Sequence, residues 1–129
     1  MLRINPGSAV PVYEQLKRQI KLCIVSGKYP QNHRMPSIRQ LAAQLTINPN
    51  TIAKVYRQLE TEGFLHSKTG SGFFVLFKKE HLGLARKKLL AEITDEFVTM
   101  VIELGFSPEE LMNTMLTKLE RKQANDQTE

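Results

Sequence analysis

The 129-residue sequence predicts a mainly α-helical chain: a winged helix-turn-helix with a small β-hairpin, followed by a two-helix hairpin. Three observations carry that expectation. Residues 36–63, PSIRQLAAQLTINPNTIAKVYRQLETEG, read as two short amphipathic helices around a tight turn. The following FLHSKTGSGFFVLF sets two β-prone runs, 64–68 and 73–77, on either side of Thr69-Gly70-Ser71-Gly72. From Glu80 onward the apolar residues return to helical spacing through two longer segments.

The first helix is expected over Pro11 to Ser26, where Val12, Leu16, Ile20 and Ile24 recur every fourth residue and Gly27 follows as a terminator. Its part is support. The segment KYPQNHRMP, residues 28–36, is rich in turn formers and reads as a connecting loop, with Asn32 able to adopt a left-handed conformation. In the next helix Ser37 precedes Gln40 by three positions, the spacing of a capping box, and Ile38, Leu41, Ala42 and Leu45 form its apolar face. After the turn Thr46-Ile47-Asn48, an N-cap acceptor meets Pro49, the residue preorganised for the first helical position. At 100° per residue, Ile52, Val55, Tyr56 and Leu59 gather on one side of this helix and Asn50, Lys54, Arg57 and Thr61 on the other, before Gly63 closes it. The outward stripe has the chemistry of a groove reader. The hairpin that follows has a small polar tip, suited to approach phosphates or a minor groove.

In the second half, Leu82, Leu89, Leu90, Ile93, Phe97, Met100, Val101 and Leu104 form a broad helical face that ends at Gly105. Phe106-Ser107-Pro108-Glu109-Glu110-Leu111 then combines a capping box, Ser107 with Glu110, and a hydrophobic staple, Phe106 with Leu111, around a Pro at the first helical position. Leu111, Met112, Met115, Leu116 and Leu119 continue as a second stripe, and the polar RKQANDQTE is expected to fray. Faces this wide cannot bury one another alone. The expected outlet is the same hairpin of a second chain, with Leu89, Ile93, Phe97, Met100, Leu104, Leu111, Met115 and Leu119 at a homodimer interface; the alternative is packing back on the winged helix. The domain reading is therefore a DNA-binding unit over 9–78, a dimerisation hairpin over 79–123 and a polar tail over 124–129.

Charge divides along the same line. Residues 1–79 hold twelve Lys and Arg against three acids, net +9, whereas residues 80–129 hold six against ten, net −4. A basic first part suits a polyanion and a mildly acidic, apolar second part suits association. The single cysteine, Cys23, excludes an internal disulfide and the usual zinc ligand sets, and His33, His66 and His81 share no face, so neither metal nor cofactor is expected. Ser37 is explained as a cap, Glu109 and Glu110 as helix-start acids, and Met100, Met112 and Met115 as packing residues, which leaves no catalytic constellation and predicts a protein that is not an enzyme. No stretch approaches the ~20 apolar residues of a membrane span, and the N-terminus lacks a signal-peptide core, so a cytoplasmic location is expected.

The pieces VYEQLKRQIKLCIVSGKY, RMPSIRQLAAQLTINPNTIAKVYRQLETEGFL and KTGSGFFV, in this order between Pro11 and Phe77, resemble the GntR-type winged-helix domain of bacterial transcription regulators. The short two-helix C-terminal part and the Asn-Pro-Asn-Thr run resemble the YtrA-type subfamily. That resemblance implies a dimeric repressor, commonly of an operon containing an ABC transporter, with double-stranded DNA as partner. It assigns Arg39 to the phosphate backbone or a guanine edge, Asn48, Asn50, Thr51 and Lys54 to the start of the recognition helix, and Lys68, Thr69, Gly70 and Ser71 to the wing. Arg57 lies farther along the same face. Pro49 and Ala53 stand where some branches carry arginines, so arginine–guanine readout is not expected at those points, and Asn32 and His33 replace a frequent glycine and acidic residue. Larger subfamilies append an effector domain, whereas fifty residues of helical hairpin leave the effector unknown. The rival reading from another class is a winged helix that docks proteins without touching DNA. The outward Asn50, Lys54, Arg57 and Thr61 stripe and the +9 charge argue against it.

Overall fold

The computed structural model describes residues 2–76 and 79–128, with the side chains of residues 79, 127 and 128 outside the description. Five helices and one two-stranded antiparallel sheet follow in the order α1 (Val12–Val25), α2 (Ile38–Leu45), α3 (Pro49–Thr61), β1 (Leu65–Lys68), β2 (Gly72–Val75), α4 (Leu82–Glu103) and α5 (Pro108–Thr128). A short 3-10 turn, Lys79–His81, precedes α4. The chain divides into two compact units, Met1–Lys87 and Lys88–Glu129.

The first unit has the winged helix-turn-helix architecture. Its core gathers Leu16, Ile20 and Ile24 of α1, Leu41 and Ala42 of α2, and Ile52, Val55, Tyr56 and Leu59 of α3, closed by Leu65 and Val75 of the hairpin. These are the four-residue and heptad-like repeats of the sequence seen from inside. Both caps form as their residue types dictate. Ser37 Oγ accepts from the Gln40 N–H at 3.1 Å while Gln40 Oε1 accepts from the Ser37 N–H at 3.0 Å, and Asn48 Oδ1 accepts from the Asn50 N–H at 2.8 Å. The turn between α2 and α3 bends at Thr46, whose φ of 56° is a left-handed conformation unusual for a β-branched residue.

Two parts of this unit go beyond the sequence-based expectation. The connecting segment pairs with the sheet: Asn32 and Met35 donate to the carbonyls of Val75 and Phe73, and Val75 donates to that of His33, each at 2.9 Å. This covers an edge of β2 that would otherwise present unpaired backbone groups. The chain before α1 is also held. Leu2 enters the core, and Gln15 and Gln19 each offer a side-chain amide as a backbone mimic: Gln19 pairs with the N–H and C=O of Arg3, and Gln15 with those of Asn5. The first unit thus begins ahead of residue 9.

The hairpin register is Leu65 with Val75, His66 with Phe74, Ser67 with Phe73 and Lys68 with Gly72. Ser71 N–H closes the tip on the Lys68 carbonyl at 2.9 Å, and Gly70 and Gly72 take φ of 77° and 104°. A side chain at either position would be strained. The second expected strand reached Phe77, which lies outside the described residues.

In the second unit, α4 stops at Gly105, φ 86°, and Ser107 Oγ accepts from the Glu110 N–H at 3.1 Å while Glu110 Oε1 accepts from the Ser107 N–H at 3.3 Å. Of the two residues of the expected staple, Phe106 is exposed and Leu111 half-buried. The polar tail expected to fray instead continues α5 to Thr128, because nothing in Gln123–Thr128 breaks a helix. Helix contacts are concentrated in the first unit, where α1 and α2 pack on α3 and α3 packs on β1; α4 and α5 make no comparable contact with each other among the described residues.

Candidate nucleic-acid interface

Helix α3 is anchored from behind. Ile52, Val55, Tyr56 and Leu59 are fully buried, and the Tyr56 hydroxyl donates to the Pro36 carbonyl at 2.8 Å, tying α3 to the start of α2. Burial pushes the Tyr56 phenol far above its ordinary value, so it stays a neutral donor. With that side fixed, Asn50, Lys54, Arg57 and Thr61 are on the exposed side, Thr51 is half-buried, and Arg39 is exposed on α2. The Asn48 carbonyl oxygen is taken by its cap, which leaves its amide nitrogen as donor. Thr61 Oγ1 donates back to the Arg57 carbonyl at 3.0 Å.

Lys54 does not stand alone. Its Nζ lies 4.9 Å from the centre of the Tyr13 ring on α1, and Lys17 Nζ lies 5.9 Å from the same ring. Two ammonium groups therefore lie within cation–π distance of one aromatic ring. Farther along α1, Lys17 and Lys21 share the Glu62 carboxylate at the end of α3, at 3.2 and 3.3 Å. Helix α1, read from the sequence as support only, thus brings Tyr13, Lys17 and Lys21 to the edge of the recognition helix. Their spacing of four sets them in a row beside that of Leu16 and Ile20, but only the packing of α1 on α3 shows that this row adjoins Lys54.

The wing is tethered to the same helix. Glu60 Oε2 accepts from the Ser67 N–H at 2.7 Å, and hydrogen bonds from the side chain and backbone of Ser67 hold the Glu60 carboxyl below its ordinary range. Lys68 Nζ sits 4.6 Å from the Phe74 ring centre, and Thr69, Gly70 and Ser71 form the exposed tip. Among the described residues no group of three His, Cys, Asp or Glu side chains is arranged to hold a metal ion. Nor is any helix long and apolar enough to cross a membrane.

The gntR family of bacterial regulatory proteins matches residues 12–75 by its sequence pattern, from the start of α1 to the end of β2. YhcF of Bacillus subtilis (strain 168), an HTH-type transcriptional regulator, is 33% identical over 110 residues, covering 85% of this chain and 91% of that protein. The chain belongs to the GntR family. Within this family of transcriptional regulators, the HTH-type transcriptional repressor YtrA of the same bacterium is 37% identical over 75 residues, 58% of each protein. The solved DNA-binding domain of AraR in complex with operator ORX1 is 33% identical, with a TM-score of 0.51 over 57% of this chain and 92% of that one.

The eight side chains assigned to association divide by exposure. Phe97, Met100, Leu104, Met115 and Leu119 are exposed, and Ile93 and Leu111 half-buried. Leu89 is only 6% exposed within its own chain and has little surface left for a partner.

Proposed function

We propose that this GntR regulator is a homodimeric repressor that binds duplex DNA at an inverted-repeat operator and acts by occupying a promoter. One observation carries the reading: the basic and amide-bearing stripe of α3, Asn50, Lys54 and Arg57, is exposed while its opposite face is locked into the core. A helix so held can enter a major groove without rearrangement. The operator complex of the AraR domain supports this use of the fold.

Asn50, in the first turn, reads a base edge, its amide suited to pair bidentately with adenine, and Thr51 contacts an edge or a thymine methyl. Arg39, Lys54 and Arg57 neutralise phosphates, and Asn48 donates from its free amide nitrogen. Lys68, Thr69, Gly70 and Ser71 bring the wing to an adjacent phosphate or minor groove. The exposed apolar faces of α4 and α5 hold two chains together, so two recognition helices meet half-sites about one turn, ~34–36 Å, or a multiple apart.

Selection of bound sequences from a random duplex pool, with the wild type and Asn50→Ala, tests the reading. The wild type should enrich a palindrome, and Asn50→Ala should lose ~1–3 kcal/mol at one symmetric base-pair position while keeping non-specific affinity. Enrichment of no palindrome would refute symmetric readout. Equal stringency in both proteins would reduce Asn50 to a cap neighbour.

A further inference from the structure

We propose that an open cleft of the first unit, between residues 29–36 and α2, binds a small aromatic carboxylate, and that its occupancy weakens operator binding. The site stands apart from the DNA reading above. Its effect on the operator rests on that reading.

The cleft encloses about 420 Å³, within the ~300–1,000 Å³ of small-molecule sites. One side of it is aromatic and fixed in place. Tyr29 is held by its N–H on the Cys23 carbonyl at 2.9 Å, and its ring stacks on that of His33, with centroids 4.7 Å apart and planes 6° from parallel. Pro36 follows along the same wall, its carbonyl accepting from the Tyr56 hydroxyl. From the other side come Gln40 and Gln44, one turn apart on α2. Gln40 spends its Oε1 on the Ser37 N–H, so its NH2 group is what it can offer a ligand.

Charge selects the ligand. Arg34 lines the cleft and is exposed, and among the described residues its guanidinium has no ion-pair partner. No Asp or Glu side chain lines the cleft with it. Met35 donates to Phe73 and Val75 to His33 on either side of the Arg34–Phe74 pair, so the Arg34 N–H turns to the free edge of its strand. A guanidinium fork, an edge N–H and two amide groups are the donors a carboxylate takes. Inorganic phosphate would meet the same donors and leave the Tyr29–His33 side bare, whereas a ring carrying the carboxylate covers both.

The cleft is wired to the DNA-facing elements by two hydrogen bonds. Gln40 caps the helix that carries Arg39, and Pro36 is tied to α3 through Tyr56. An anion on Arg34 also cancels one positive charge of the basic unit and so reduces its attraction for phosphates. By linkage, operator DNA must weaken the carboxylate by the same factor.

Amide NMR of the intact chain, titrated with benzoate and separately with inorganic phosphate at constant ionic strength, tests the site. Benzoate should give saturable shifts at Tyr29, Arg34 and the side-chain amides of Gln40 and Gln44, with a dissociation constant of about 1 mM or tighter. Arg34→Ala should abolish them. Saturating benzoate should lower operator affinity about twofold or more, and the operator should weaken benzoate by the same factor; in Arg34→Ala operator affinity should no longer respond. Absent shifts, shifts centred on Lys17 and Lys21, or phosphate acting with equal affinity at the same residues would overturn the site. Unchanged operator affinity at benzoate saturation would overturn the coupling. A chain that binds benzoate in the cleft and no duplex at all would overturn the DNA reading and leave the site standing.

Discussion

The two units of this regulator spend their apolar residues in opposite ways. In the first, Tyr56, Leu16, Ile20, Ile52 and Leu59 are fully buried. In the second, Met100 is 53% exposed, Leu104 72%, Met112 55% and Leu119 55%, on helices as regular as any in the molecule. The difference teaches that helix formation and core formation are separate achievements. Caps and spacing suffice to shape α4 and α5, but burial needs a partner surface, and a helix in water draws most of its stability from such packing. The first unit buries its core within one chain, and the second leaves its apolar faces exposed, which is what the proposed homodimer would cover.

That contrast is open to attack at four places. Tyr56→Ala should cost ~3–5 kcal/mol, since it empties the middle of the first core; thermal melts should show the loss equally at every protein concentration. Phe97→Asp should act differently. By placing a charge in the proposed interface it should weaken self-association by about thirtyfold, the equivalent of ~2 kcal/mol at an interface hot spot, and sedimentation should detect it while the first unit keeps its melt. A smaller effect is expected where α1 meets the recognition helix. Tyr13→Leu removes the ring under Lys54, a contact of ~0.5–1 kcal/mol at exposed sites, so operator affinity should fall less than tenfold, whereas Lys54→Ala should also lower the salt-dependence slope by about 0.9 for its lost phosphate contact.

The smallest effect concerns the tether of the wing. Because Ser67 lowers the Glu60 carboxyl in the folded chain, the tether contributes stability that is present above the carboxylate's ordinary value and is lost as pH falls through the lowered one. Glu60→Gln should flatten the acid limb of the stability profile, lowering stability slightly at neutral pH and leaving it little changed in acid, where the wild-type carboxyl is protonated. Denaturant titrations between acidic and neutral pH would measure the difference.

Much of the first unit was legible in the sequence because local chemistry decides it. Ser37 with Gln40, Asn48 before Pro49, and Gly70 between β-prone runs each have few structural solutions. What escaped was non-local. Nothing in the sequence says that Gln15 and Gln19 hold the segment before α1, or that residues 32–35 pair with β2, because each depends on which surface lies opposite. The same holds for Tyr13 beside Lys54. In the site, the exposed stripe of α3 followed from periodicity, but the contribution of α1 became visible only through its packing on α3. In the second unit the wide apolar faces were evident, whereas the burial of Leu89 and the helical course of residues 123–128 were not.

The most direct test of the account is sedimentation equilibrium of the intact chain, without DNA, from micromolar concentration upward and alongside its helix content. The account predicts a species of twice the 14.7 kDa chain mass, whose unfolding temperature rises with concentration as an assembly's must. A monomer at every concentration with α4 and α5 fully helical would contradict it, since those helices would then be stable with their apolar faces in water.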